Sequence, residues 1–190
     1  MEKNRLALFD LDGTLFDTKD VNFRAYSKAL ANCGIEANID YNYYCKFCNG
    51  NSFRVFIPQI VSEISEERLY EVHQEKKRLY KDFLRYARKN EHLFSMIETM
   101  QNNYIIALVT TASRKNVEEI LSEFNCQNKF NFIISQEDVN ETKPSPECFI
   151  KAMKIAGIEA ENTIIFEDSE PGIEAARASG AYYMKIYGYN

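Results

Sequence analysis

Between Tyr104 and Tyr187 the chain alternates apolar runs of strand length with segments of helical periodicity, and no other feature constrains the fold as strongly. The runs cover residues 104–109, 130–135, 163–166 and 181–187. After the first, Val117, Ile120, Leu121 and Phe124 recur at helical spacing behind an N-cap candidate, Ser113. Ser145-Pro146 reads as the N-cap and first position of a second helix, which should stop near Gly157. Ser169-Glu170-Pro171 opens a third, ending near Gly180. Strands alternating with helices predict a parallel sheet joined by crossover helices.

A fifth run, residues 6–9, lies far upstream, and the interval behind it reads differently. Residues 19–32, 52–64 and 66–89 carry helix-like periodicity, with no convincing strand among them. In the last segment Leu69, Val72, Leu79, Phe83 and Ala87 mark one face. Interleaved acids and bases elsewhere read as a solvated surface, and His73 as a structural or surface histidine. The expected architecture is an α/β core interrupted after its first strand by a small helical insert able to close over the strand ends.

Bulk properties bound the function. A chain of 190 residues holds one full core and a smaller inserted unit. A net charge of −5 argues against a broad polyanion-binding surface, so no nucleic-acid partner is expected. No stretch approaches the roughly 18 consecutive apolar residues of a membrane span, and none resembles a leader peptide. The cytoplasm is the default compartment. Five cysteines fit reduced thiols better than a disulfide framework. Cys45 and Cys48 have the spacing of a zinc or redox pair, but no second pair follows to complete a site.

Four of the five strand ends carry distinctive polar residues, and ligands of open parallel sheets bind at those ends. Asp10-Leu11-Asp12-Gly13-Thr14 follows the first run. In extended chain residues two apart point the same way, so both carboxylates face one site. Thr110, with Thr111, follows the second run and offers a hydroxyl for an oxyanion. Lys143 precedes Pro144-Ser145-Pro146, placing an ammonium group beside a helix N-terminus. Glu167-Asp168 follows the run 163–166. If these ends converge, several carboxylates crowd against one lysine and cannot all stay ionised unaided. A hard divalent cation relieves that, and oxygen-only ligands favour magnesium. Asp10 is then placed to attack phosphorus, and Asp12 to protonate the leaving alcohol and later deprotonate water.

Residues 9–17, FDLDGTLFD, resemble the first motif of the haloacid dehalogenase superfamily. Thr110 resembles its second motif, Lys143-Pro144 its third, and Phe166-Glu167-Asp168-Ser169 with Gly172 its fourth. The resemblance implies a Rossmann-like core, residues 1–16 and 92–190, and a helical cap, residues 17–91. It implies Asp10 as nucleophile and metal ligand, and Asp12 as acid/base that ligates through its carbonyl. Thr110 and Lys143 would hold the phosphoryl group, and Asp168, assisted by Glu167, a magnesium ion. Asp12, absent from the dehalogenase members, favours phosphoryl chemistry. The nearest branch contains beta-phosphoglucomutase and the phosphoglycolate and sugar-phosphate phosphatases. Residues 17–25 resemble the mutase segment, but Asn22 stands where mutases usually have histidine. Residues 49–52, with Gly50 and Asn51, look like the cap's specificity loop, and Arg54 and Arg24 are candidate contacts for a substrate anion. Around residues 91–95 the chain departs from relatives that carry a Pro-Gly turn.

The expected function is magnesium-dependent hydrolysis of a small phosphorylated metabolite, by a monomer or small homo-oligomer. The rival expectations are a sugar phosphomutase and a non-catalytic phosphate-binding regulator.

Overall fold

A computed structural model describes residues 3–37 and 39–187. In chain order the regular elements begin with β1 (Arg5–Phe9), β2 (Phe16–Asp17), α1 (Lys19–Asn32), α2 (Tyr41–Tyr43), α3 (Phe53–Ile60), α4 (Glu66–Leu79) and β3 (Arg88–Lys89). They continue with α5 (Glu91–Met100), β4 (Tyr104–Val109), α6 (Arg114–Glu123), β5 (Phe132–Ile134), α7 (Glu147–Ala156), β6 (Thr163–Glu167), α8 (Glu170–Ser179) and β7 (Tyr182–Lys185).

Five strands form one sheet in the order β5-β4-β1-β6-β7, and every neighbouring pair is parallel. The α/β reading from alternation is therefore what the chain adopts. β1 takes the centre of the sheet with Leu6, Ala7, Leu8 and Phe9 fully buried. A strand covered on both faces has no polar side to alternate with, which is why it reads as a continuous run. Leu6, Leu8, Val109, Ile134, Phe149 and Ile165 share one core cluster. The rings of Phe9 and Phe166 stack in parallel with centroids 4.4 Å apart. Register places Phe9 opposite both Leu108 and Phe166, so the residues that follow each strand emerge at one edge.

The chain forms two compact units, residues 1–17 with 88–190 and residues 18–87. The sequence-based limits of 17–91 for the insert are drawn inward. Arg88 pairs with Asp17 and Lys89 with Phe16 in a two-residue antiparallel ladder, which ties both segments to the sheet unit. That ladder is too short to show any period. It also corrects the expectation of helix through residue 89: α4 ends at Leu79, and a 3-10 segment, Tyr80–Tyr86, follows.

Two helices lay outside the sequence reading. The α5 segment begins at the N-cap Asn90, whose side chain accepts from Leu93 N–H. In the helical unit α2 runs on as a π-helical stretch, Tyr44–Cys48. Cys45 is half-buried and Cys48 buried, both as free thiols. Helix ends elsewhere follow the signals closely. Ser113 and Ser169 cap α6 and α8, and Gly157 and Gly180 close α7 and α8 with φ of 65° and 80°. The start of α7 is shifted by one residue, with Pro146 in the cap position.

The helical unit has its own core, in which Tyr26, Leu30, Phe56, Ile57, Leu69, Val72 and Leu79 pack together. Among the described residues no helix is long and apolar enough to cross a membrane.

Candidate active site

Lys143 organises the carboxyl edge of the sheet. Its Nζ donates to Asp10 Oδ1 at 2.6 Å, to Glu167 Oε2 at 2.7 Å and to the Val109 carbonyl at 3.2 Å. An ammonium group has three protons, so these acceptors match its capacity. The three partners come from the ends of β1, β6 and β4, and Lys143 reaches them from the loop before α7. Its side chain is only 5% exposed. Burial works against the charge, but Asp10 and Glu167 more than offset it and hold the lysine pKa above its ordinary value.

Acid outnumbers base here. Oxygens of Asp10, Glu167 and Asp168 lie within 4.8 Å of one another. Burial, then Glu167, then Asp168 push the Asp10 carboxyl well above the usual range, with Lys143 opposing. Burial and Glu167 raise Asp168 to about 6, against the Thr14 hydroxyl and Lys143. Two carboxyl groups whose charge is disfavoured, beside a single lysine, form a donor set that fits a hard divalent cation. The residues present are all oxygen donors, which suits magnesium rather than a thiophilic metal.

The loop behind β1 is a tight turn. Gly13 N–H donates to Phe16 O at 2.7 Å, while Leu15 and Phe16 N–H both donate to Leu11 O. Gly13 has φ of 88°, and a Cβ placed on it would lie 2.1 Å from Asp168 Oδ2. Glycine is therefore required twice over, for its backbone angle and for the close approach of Asp168. Asp12 sits in this turn, half-buried. Thr14 Oγ1 donates to Asp168 Oδ1 at 3.1 Å.

Thr110 is buried directly after β4. Its N–H donates to Ile134 O, and its Oγ1 accepts from Ala112 N–H at 3.1 Å. Thr111 beside it is exposed.

The remaining sequence-predicted residues belong to the helical unit. Asn22 donates through its amide to Thr18 Oγ1 at 3.2 Å. Gly50 has φ of 81°, and the Asn51 amide donates to Phe47 O at 3.0 Å. The Arg54 guanidinium lies over the Phe53 ring, 4.8 Å from its centroid. Arg24 is engaged twice, by Asp20 at 2.8 Å and by the face of Tyr86 at 3.9 Å.

Three contributors to the sheet-edge site were given no role in it by the sequence. Val109 offers a main-chain carbonyl, which no side-chain pattern reveals. Thr14 and Ser169 act on the carboxylates of Asp168 and Glu167. Their signal was present: each is a hydroxyl residue within two positions of an acidic residue of the same edge.

The parallel α/β sheet gathers three carboxylates and a buried lysine at its carboxyl edge, where the ligands of such sheets bind. The family follows from the whole chain. Residues 7–186 match the family of haloacid dehalogenase-like hydrolases, and the chain belongs to it. Among curated relatives it is 27% identical over 187 residues to the phosphorylated carbohydrates phosphatase of Thermotoga maritima, covering 95% of this chain and 83% of that protein. It is 28% identical over 188 residues to a phosphoglycolate phosphatase of Aquifex aeolicus, covering 97% of this chain and 86% of the relative. The solved structure of CbbY from Rhodobacter sphaeroides in complex with phosphate superposes with a TM-score of 0.85 at 22% identity, over 97% of this chain and 87% of that one. That likeness establishes the shared fold.

Proposed function

We propose that the chain hydrolyses a small phosphomonoester, a sugar phosphate or similar metabolite, through a phosphorylated Asp10. The observation that carries this reading is the single lysine held between Asp10 and Glu167, with Asp168 completing the acid cluster. Related proteins named as phosphatases of phosphorylated carbohydrates, fructose 1-phosphate and phosphoglycolate support the substrate class.

Asp10 supplies the nucleophile. A carboxylate oxygen attacks phosphorus, the bond from phosphorus to the ester oxygen breaks, and an acyl phosphate forms. Asp12 gives a proton to the departing alkoxide. It then takes one from water, whose oxygen attacks phosphorus and releases phosphate from Asp10. Lys143 is a fixed positive charge against the nucleophile. Direct contact with a phosphoryl oxygen needs one ammonium proton exchanged, and the Val109 carbonyl, its longest partner, is the one to give way. Thr110 accepts from Ala112, so its hydroxyl proton is the one to turn toward a phosphoryl oxygen. Asp10, Asp12 and Asp168, with Glu167 assisting, would hold a magnesium ion, and the chemistry it would supply there is neutralisation of charge on the carboxylates and the phosphoryl group.

Asn22 weighs against the mutase alternative, since an amide cannot serve as the acid/base that a histidine supplies there. Intact Asp10 and Asp12 weigh against a non-catalytic regulator. The test is phosphate release from an aryl phosphate, and from a panel of phosphorylated metabolites, with and without magnesium. Asp10→Asn should abolish turnover; activity surviving in that variant sinks the nucleophile assignment. Interconversion of sugar-phosphate isomers with little phosphate released would favour the mutase instead.

A further inference from the structure

Glu167 is held from both sides. Lys143 takes Oε2, while Oε1 accepts from Ser169 Oγ at 2.7 Å and from Ser169 N–H at 3.2 Å. Ser169 is fixed in turn, because its Oγ accepts from Gly172 N–H at 3.1 Å as the N-cap of α8. One hydroxyl therefore serves two ends, donating to Glu167 and accepting from the helix. Gly172 completes the cradle, since a Cβ there would lie 2.0 Å from the Glu167 carboxyl carbon. The carboxylate presses against the first turn of α8, where its charge is favoured by the helix dipole.

We infer that Ser169 is a positioning residue that acts through Glu167 to hold Lys143 against Asp10. The chain of contacts is continuous: Gly172 N–H, Ser169 Oγ, Glu167, Lys143 Nζ, Asp10 Oδ1. With both oxygens engaged and only 1% of the residue exposed, Glu167 works as the counter-anion of the lysine. Without the hydroxyl, Oε1 keeps only the longer main-chain bond. The carboxylate then rotates, and Lys143 loses the partner opposite Asp10. This rests on the proposed hydrolase reading for its catalytic consequence, and on the geometry for the positioning itself.

A plain capping role predicts something different, and glycine separates the two. Glycine caps a helix nearly as well as serine but has no hydroxyl. Ser169→Gly should therefore leave the α8 N-terminus capped, yet lower kcat on an aryl phosphate roughly tenfold or more, as loss of an outer-shell partner does. Ser169→Thr, with its hydroxyl retained, should return kcat toward the wild-type value. An unchanged kcat in Ser169→Gly, or a Thr variant as slow as the Gly variant, overturns the inference.

A second readout needs no turnover. Crystal structures of the wild type and Ser169→Gly should show Lys143 Nζ leaving hydrogen-bond distance of Glu167 or Asp10 in the variant. Lys143 bridging both carboxylates in Ser169→Gly as in the wild type would overturn the positioning role. A wild-type protein inert toward every phosphate tested would sink the hydrolase reading, and the crystallographic comparison would still decide the clamp.

Discussion

Lys143 and Asp10 stand 133 positions apart in the chain, yet their charged atoms meet at 2.6 Å, both almost wholly buried. Such a pair is costly to break, because removing one partner strands the other's charge. Lys143 neutralises two carboxylates, so Lys143→Met leaves Asp10 and Glu167 facing each other. We expect a loss of about 3–5 kcal/mol in a urea melt. Turnover should fall at least about 100-fold, as when a stabilising donor is deleted from an active site. A variant that melts like the wild type would mean that Lys143 is not the electrostatic keystone of the edge.

Magnesium should stabilise the protein through the same charges. At about 100 times its dissociation constant a ligand contributes ~2.7 kcal/mol, or roughly 5–10 °C in melting temperature for a chain this size. The effect has a pH signature. Asp168 titrates near 6 in the metal-free fold, above its ordinary 3.8, so its ionised form is disfavoured there. Protonation between about 6 and 3.8 therefore favours the metal-free fold and competes with the cation. The magnesium shift should be full above pH 6 and shrink below it. A melting scan across magnesium concentrations at several pH values checks this, and Asp168→Asn should remove the shift.

Gly13 carries two constraints that substitution can separate from ordinary backbone strain. Gly13→Ala forces a Cβ onto Asp168 at a φ of 88°, whereas Gly157→Ala meets open space at a φ of 65°. Both variants bear a left-handed backbone cost of about 1–2 kcal/mol. Gly13→Ala should in addition lose the magnesium-induced melting shift and most of the turnover, while Gly157→Ala keeps both. Equal behaviour of the two variants would show that the approach of Asp168 to Gly13 does not shape the site.

Much of this was readable before the structure because buried parallel strands announce themselves. β1, β4 and β6 each contain a continuous apolar run, residues 6–9, 104–109 and 164–166, and each run is followed at once by its polar residues: Asp10, Thr110 and Glu167 with Asp168. Caps were equally legible, since Ser113, Ser169, Gly157 and Gly180 act through local backbone geometry that residue type determines. What stayed hidden depends on partners distant in sequence or on the main chain. The β2–β3 ladder is two residues long and has no period to detect. The Tyr44–Cys48 π-turn departs from the 3.6-residue period on which helix recognition rests. Ser169 was legible as a cap, but a hydroxyl that donates to Glu167 while accepting from the helix appears only when the carboxylate is in place.

His73 gives the helical unit an acid limit of its own. Its ring stacks on Phe53 with centroids 3.8 Å apart, and its Nδ1 meets the Tyr26 hydroxyl at 3.1 Å. Burial, followed by the charges of Lys76, Lys77 and Arg54, lowers its pKa from 6.5 to about 3. A histidine depressed in the folded state stays neutral there while the unfolded chain takes up a proton near 6.5. Its contribution to stability is therefore complete above pH 6.5 and drains away as the pH falls toward 3. His73→Gln keeps a polar side chain beside Tyr26 and removes the titration. The slope of melting temperature against pH should flatten across that window in the variant, even where its melting temperature is lower throughout. Identical slopes in the two proteins would show that the imidazole is not buried as a neutral group.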